Sequence, residues 1–173
     1  METERKTCCV FGHRKIEGRE ILKKRLEKII EELIVNENVD TFLVGSRSEF
    51  DDLCREVLCE QSKKHAHIKR IYVRAEYPDI SDDYEKYLLE RCEKTYYPER
   101  IRGAGKAVYV ERNCEMIDKS DYCIIYYKER YVAHKKKNTR QNLFDYQPKS
   151  GTSIAYQYAA RKNRCIINVA EDM

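Results

Sequence analysis

Short apolar runs alternate along this chain with stretches whose apolar residues recur at helical spacing. In 16–35 the apolar residues follow one another at intervals of four, three and four, which predicts one face of a helix. These residues are Leu22, Leu26, Ile29 and Leu33. The predicted strands are 6–11, 41–44, 67–73, 122–127 and 165–169. Strands that alternate with helices predict an α/β fold: a three-layer sandwich in which helices flank a mostly parallel sheet.

The second half of the chain gives a weaker version of the same pattern. A serine followed by two aspartates at 81–83 predicts a capped short helix, and 96–98 predicts a short strand or a loop. Helical spacing returns in 104–117 and in 151–162. The length of 173 residues suits a single domain over 1–173 and is cramped for two.

Positive charge is concentrated in one stretch. The chain carries 34 Lys and Arg against 30 Asp and Glu, a net charge of +4, and Lys128–Arg140 alone holds six basic residues and one acid. The remainder is nearly neutral, which excludes a nucleic-acid coat protein that is basic throughout. The polar stretch at about 128–149 is too long for a plain connection, so we expect a functional loop there.

The eight cysteines form no C-x-x-C pair, and most lie in apolar runs. The chain has no signal-peptide pattern and no apolar run as long as a membrane span, so we expect a cytoplasmic protein without membrane contact, in which thiols stay reduced. We therefore expect the cysteines to act mainly as packing residues. His65 and His67 have no second pair at metal-ligand spacing, so no metal site is predicted.

Three predicted strands lead into turns that combine glycine with polar side chains. The turns are Gly12-His13-Arg14, Gly45-Ser46-Arg47-Ser48 and Ser150-Gly151-Thr152-Ser153. In an open parallel sheet such turns meet at the carboxyl edge, where glycine lets backbone approach a ligand and helix N-termini favour an anion. The three turns together predict a pocket for a phosphate or carboxylate. Each turn taken alone is also consistent with an ordinary turn and helix cap.

Candidate catalytic residues are few. Asp51 and Glu56 lie five positions apart on a predicted helix, which separates them by about 140° around its axis, so they form no close carboxylate pair. Asp51 near the helix N-terminus either stabilises the dipole or holds a ribose hydroxyl. His13 suits either a general base or a histidine hydrogen-bonded within its turn. The chain has neither a complete dinucleotide-binding glycine motif nor a phosphate-binding P-loop.

Four segments carry a resemblance to a known family. They are TCCVFGHR at 7–14, FLVGSRSEFD at 42–51, RNCEMIDKSD at 112–121, and SGT at 150–152 ahead of CIINV. In this order they resemble the YpsA-like branch of the SLOG superfamily, whose Rossmann-like domains include the DNA-processing Smf/DprA proteins and the LOG phosphoribohydrolases. The resemblance covers nearly the whole chain, from 7 to 169, and implies a Rossmann-like fold with a nucleotide-type ligand at the strand ends.

The resemblance also implies which residues contact that ligand. By position they are Gly12, His13, Arg14, Gly45, Ser46, Arg47, Asp51, Arg112, Asn113, Ser150, Gly151 and Thr152. Two departures matter. Ser46 and Glu49 stand where relatives have glycine, which weakens the anion site or changes its ligand. Ala155 stands where the LOG enzymes have their catalytic glutamate, so the resemblance does not support phosphoribohydrolase activity.

Three functions follow as hypotheses. The leading one is a domain that binds or senses a phosphorylated nucleotide or derivative, such as an ADP-ribose-like molecule; the sequence specifies no cofactor beyond this nucleotide-type ligand. The alternative is a hydrolase of an N-glycosidic or phosphate bond, with Asp51 or Glu56 as acid or base and Arg14 or Arg112 on the phosphate. The second alternative is nucleic-acid binding through Lys128–Arg140, beside which lie Tyr126, Tyr127 and Tyr131. The basic stretch also suits a solvated loop or a lid over the pocket. Relatives often self-associate, so a homo-oligomer stays open.

Overall fold

The computed structural model describes residues 3–45, 48–129 and 150–171. The strands are β1 (Lys6–Gly12), β2 (Val39–Val44), β3 (Lys69–Val73), β4 (Lys94–Tyr96), β5 (Tyr122–Tyr126) and β6 (Cys165–Asn168). The helices are α1 (Arg19–Asn36), α2 (Glu49–Lys64), α3 (Asp82–Leu89), α4 (Val108–Asp118) and α5 (Gly151–Arg161). Two short 3₁₀ turns, Glu99–Ile101 and Gly105–Ala107, precede α4.

The described strands pair in parallel to form one sheet in the order β4-β3-β2-β1-β5-β6. This order confirms the predicted α/β fold, a Rossmann-like three-layer sandwich with a parallel sheet between helices. The chain adds β2, β3 and β4 on one side of β1, and β5 and β6 on the other. In such sheets the carboxyl ends of the strands at this reversal open a crevice in which ligands bind.

Strand β1 explains why the sheet is buried on both faces. Successive side chains of a strand point to opposite faces, and Cys8 and Val10 join one apolar cluster while Cys9 and Phe11 join the other. The first cluster contains the inward residues of α1 and α2, and the second contains those of α4 and α5. A strand covered on both sides does not alternate apolar with polar residues, and 8–11 is apolar throughout.

Helix starts differ most from the sequence prediction. Helix α1 begins at Arg19 instead of 16, because Gly18 has a left-handed φ of 59° that a helix does not accommodate. Helix α4 begins at Val108 instead of 104, after a segment in which Gly103 and Gly105 both have positive φ. Strand β4 ends at Tyr96, so the predicted 96–98 segment runs from a strand into a turn.

All eight cysteines are free thiols, and six of them are buried. Cys59 and Cys165 are exposed, so they do not take the packing role expected of most of the set. None of the helices in the described ranges is long and apolar enough to cross a membrane.

Candidate functional site

A pocket of about 350 Å³ opens beyond the carboxyl end of β1, between the N-termini of α2 and α5. We call it the strand-end pocket. Its lining comes from segments far apart in sequence, which the parallel sheet brings to one edge. The lining residues are Phe11, Gly12, His13, Arg14, Ser48, Asp51, Tyr109, Val110, Arg112, Asn113, Ser150, Gly151 and Thr152.

Most of the residues proposed from sequence meet at this pocket. Nine line it: Gly12, His13, Arg14, Asp51, Arg112, Asn113, Ser150, Gly151 and Thr152. Gly45 lies behind the lining, against the guanidinium of Arg112. Ser46 and Arg47 lie outside the described residues, as does 130–149 of the basic loop.

The residues that the resemblance implies as ligand contacts omit two polar residues of the lining, Ser48 and Tyr109, although Ser48 belongs to the second of the three predicted turns. Ser48 has a recognisable signal, because a serine three positions before Asp51 matches a helix cap. Tyr109 has none, since an aromatic residue near the start of a helical stripe is usually a packing residue.

Serine residues cap the N-termini of both helices that face the pocket, α2 and α5. The Ser48 hydroxyl accepts a hydrogen bond from the Asp51 N–H at 2.9 Å, and the Ser150 hydroxyl accepts one from the Ser153 N–H at 3.0 Å. At α2 the Arg14 carbonyl also accepts from the Glu49 N–H, at 2.9 Å. Helix α5 itself offers no acceptor to the N–H groups of Gly151 and Thr152, because they belong to its first turn. Those two donors and the helix dipole make this end of α5 attractive to an anion.

Arg112 brings a buried positive charge to the pocket. Its side chain is held by the Val73 carbonyl, which accepts from Nη1 at 3.4 Å, and by the Asn113 amide oxygen, which accepts from Nε at 3.2 Å. A methyl group on Gly45 would stand 2.6 Å from the guanidinium carbon. Gly45 therefore makes room for Arg112.

Gly12 likewise leaves space that other side chains of the protein fill. A methyl group on Gly12 would stand 2.6 Å from the ring of Phe50 and 2.9 Å from Tyr126. The space that a side chain would take at Gly12 and at Gly45 is thus filled by the protein's own residues. The absence of a side chain at these two positions therefore serves packing within the protein.

Asp51 is the one acidic residue in the described lining of the strand-end pocket. The residue is buried, and its Oδ1 atom has no hydrogen-bond partner in the part of the chain that the structure describes. Burial raises the pKa of Asp51, and the positive charge of Arg112 opposes that rise. An ionised Asp51 offers a buried acceptor to a ligand hydroxyl or amine.

His13 is buried at the pocket wall and is tied to the backbone. Its Nε2 accepts a hydrogen bond from the Lys128 N–H at 2.9 Å, which fastens the chain after β5 to the turn after β1. Burial lowers the pKa of His13 to about 4, so the ring is neutral near pH 7. His13 thus makes a structural hydrogen bond, as in the second of the two roles considered for it, but its partner lies after β5 and not within its own turn.

Glu56 does not line the pocket with Asp51. Its carboxylate accepts hydrogen bonds from Arg19 and, at 2.9 Å, from Lys23, both on or beside α1. These ion pairs lower its pKa. The two acids proposed for catalysis therefore face different surroundings, as their spacing on α2 predicts.

A larger cavity of about 710 Å³ lies between α2, α3 and β3, and we call it the α2–α3 groove. Its lining includes Glu56, the parallel rings of Tyr84 and Tyr87, and several cations. Its cations are largely paired: Arg55 with Asp52, Arg70 with Glu93 at 2.9 Å, and Arg91 with Glu90 at 3.9 Å. None of the residues proposed for ligand binding lies in this groove.

No cluster of three or more His, Cys, Asp or Glu suited to a metal ion occurs within 3–45, 48–129 and 150–171. The ring of His65 lies 3.1 Å from the carboxylate of Glu31. The ring of His67 lies edge-on to the ring of His65.

The sequence matches no protein-family model and no curated protein. The fold is similar to that of DNA processing protein A from Helicobacter pylori, a protein described for its single-stranded DNA binding mode. The TM-score is 0.55 at 14% identity, and the likeness covers 93% of this chain. The chain spans 63% of the length of that protein. At this identity the likeness concerns the fold alone.

Proposed function

We propose that the strand-end pocket binds the phosphate of a nucleotide or nucleotide derivative. The observation that carries this proposal is the convergence of a helix N-terminus and two arginines on one pocket that holds a single carboxylate in its described lining. Arg14 is exposed at the rim, and its side chain makes no ion pair with any residue that the structure describes. An anion at the α5 N-terminus satisfies both the backbone donors and this cation.

Asp51 favours a ligand that carries a donor group as well as an anion. Its buried Oδ1 sits in the same pocket as the cations, where a ribose hydroxyl supplies the missing hydrogen bond. A sugar phosphate combines both features, whereas inorganic phosphate at neutral pH lacks a hydroxyl separated from its charge. We also propose that the chain is a member of the SLOG superfamily, in its YpsA-like branch. The likeness in fold to DNA processing protein A supports the superfamily.

Thermal melting and calorimetry with adenosine monophosphate, AMP, test the proposal. We expect AMP to raise the melting temperature, and Arg14→Gln to weaken its binding by about tenfold, because one charge-assisted contact is lost. Arg55→Gln is the matched control, since Arg55 is an exposed arginine of the groove that already pairs with Asp52. No binding of AMP or of ADP-ribose, or an equal loss in both variants, would overturn the proposal.

Binding of single-stranded nucleic acid is the second candidate, and the fold comparison favours it over a free nucleotide. The protein of similar fold is described for single-stranded DNA binding, and a strand presents the same phosphates to the same pocket. Lys128–Arg140 supplies further positive charge, although only its first two residues are described. Hydrolysis is less well supported, because the described lining holds no second carboxylate.

Fluorescence anisotropy with a labelled oligonucleotide separates the two candidates. If a strand binds, the logarithm of its affinity should fall linearly with the logarithm of salt concentration, by about 0.7 for each phosphate contacted. Neutralising Lys135, Lys136 and Lys137 to glutamine should reduce that slope if the basic stretch takes part. Binding of AMP with no oligonucleotide binding at 50 mM salt would leave the free nucleotide as the ligand.

A further inference from the structure

Tyr109 is a half-buried aromatic residue in the lining of the strand-end pocket. It is the second residue of α4, half-buried, and it lines the pocket beside Val110 and the N-terminus of α5. Two other aromatic residues belong to the described lining, Phe11 and His13, and both are at least 97% buried. Tyr109 is thus the accessible aromatic ring among the described residues of this site.

Contacts on two sides fix the orientation of the ring. The Tyr109 hydroxyl donates a hydrogen bond to the carboxylate of Glu76, in the segment that follows β3. The guanidinium of Arg112 lies 5.7 Å from the ring centroid, within the range of a cation–π interaction. Because Arg112 is itself held by Val73 and packed against Gly45, the ring is supported by the buried part of the site.

We propose that Tyr109 is the base-stacking residue of this pocket. This inference rests on the proposed function and makes its ligand class narrower: a nucleotide with an intact base, rather than a sugar phosphate. Its hydroxyl is engaged by Glu76 and its side chain lines the pocket, and an aromatic ring attracts any planar base without needing a hydrogen-bond pattern. A phosphate at Gly151 and a base on Tyr109 would occupy the two sides of one pocket, which both residues line.

Binding measurements with and without a base test this assignment. AMP and ribose 5-phosphate share the sugar and the phosphate and differ in the base, so their affinities isolate the base contact. We expect the wild-type chain to bind AMP about 10- to 100-fold more tightly than ribose 5-phosphate. Tyr109→Leu should remove most of that difference by weakening AMP binding, and leave the affinity for ribose 5-phosphate within about twofold.

Two further variants separate stacking from other roles of the tyrosine. Tyr109→Phe keeps the ring and loses the hydrogen bond to Glu76, so it should retain the preference for AMP. Tyr87→Leu removes an exposed tyrosine of the α2–α3 groove and should leave both affinities unchanged. Circular dichroism melting checks that each variant folds.

The outcomes distinguish this inference from the function on which it rests. If ribose 5-phosphate binds as tightly as AMP, or if Tyr109→Leu weakens both equally, the pocket still binds a phosphate and Tyr109 only supports Arg112. The stacking role is then wrong and the proposed function stands. If neither compound binds to the wild-type chain, the proposed function and this inference are both wrong.

Discussion

The α2–α3 groove and the strand-end pocket differ in how their charged groups are paired. The α2–α3 groove is twice the volume of the strand-end pocket, about 710 against 350 Å³, and it is lined by more cations. Its arginines already have carboxylate partners, such as Glu93 for Arg70. In the smaller pocket, the N–H groups of Gly151 and Thr152 receive no acceptor from α5 itself, and the side chain of Arg14 makes no ion pair with a described residue.

This difference shows why volume alone is a poor guide to a binding site here. An anion entering the groove would have to compete with existing ion pairs. Each exposed ion pair stabilises the fold only slightly, but it already occupies the N–H donors of its arginine. An anion entering the pocket at Arg14 and the α5 N-terminus breaks no ion pair between described residues. We therefore assign the function to the smaller cavity, because its unmet hydrogen-bonding groups define what it binds.

The largest effect is expected from a single methyl group added at Gly45, behind the lining of the strand-end pocket. Gly45→Ala puts a Cβ 2.6 Å from the Arg112 guanidinium, so the arginine must move. Overpacking of this kind costs about 1–3 kcal/mol of unfolding free energy, and the displaced charge should also weaken AMP binding.

Chemical denaturation and calorimetry measure both effects of Gly45→Ala. The control is Gly151→Ala, whose Cβ would make an ordinary contact with Val110 at 3.6 Å and should change stability by less than about 1 kcal/mol. Equal stability of the two variants, with AMP affinity intact in Gly45→Ala, would show that Arg112 does not depend on Gly45.

The next effect is expected from acid, and it develops only below about pH 6.5. Burial lowers the pKa of His13 to about 4, below its value of about 6.5 in the unfolded chain. The unfolded state therefore binds the proton more readily, so this contribution to stability is complete above pH 6.5 and is lost as the pH falls towards 4. We expect the loss to be at most about 3 kcal/mol.

His13→Gln removes this titration and leaves other groups, including the buried Asp51, unchanged. Unfolding free energies measured at intervals from pH 7 to pH 4 should fall more steeply for the wild-type chain than for the variant. Parallel curves for the two proteins would mean that His13 is accessible to protons, contrary to its burial at the pocket wall.

The fold was predictable because two periodicities alternate plainly in the sequence. Strand β1 is apolar without a break from Cys8 to Phe11, and α1 repeats apolar residues at intervals of three and four, so a buried parallel sheet with covering helices was the natural interpretation. Helix starts were less predictable, because the φ of Gly18 depends on where the chain must turn after β1.

The site was predictable only as far as local chemistry reaches. Glycine and serine at the strand ends mark the turns that meet at the pocket, since parallel strands bring those ends together. The positions of Tyr109 and Arg112 depend on how α4 packs against the sheet, and no local pattern encodes that. Gly45 was expected to serve a ligand, whereas the space beside it belongs to Arg112.

A crystal structure of the complex with AMP would show whether phosphate binds at the unmet hydrogen-bonding groups of the strand-end pocket. We predict phosphate oxygens about 3 Å from the N–H groups of Gly151 and Thr152, with the Arg14 side chain turned towards them. A phosphate bound in the α2–α3 groove beside Arg55 or Lys63, with the strand-end pocket holding only water, would contradict the account.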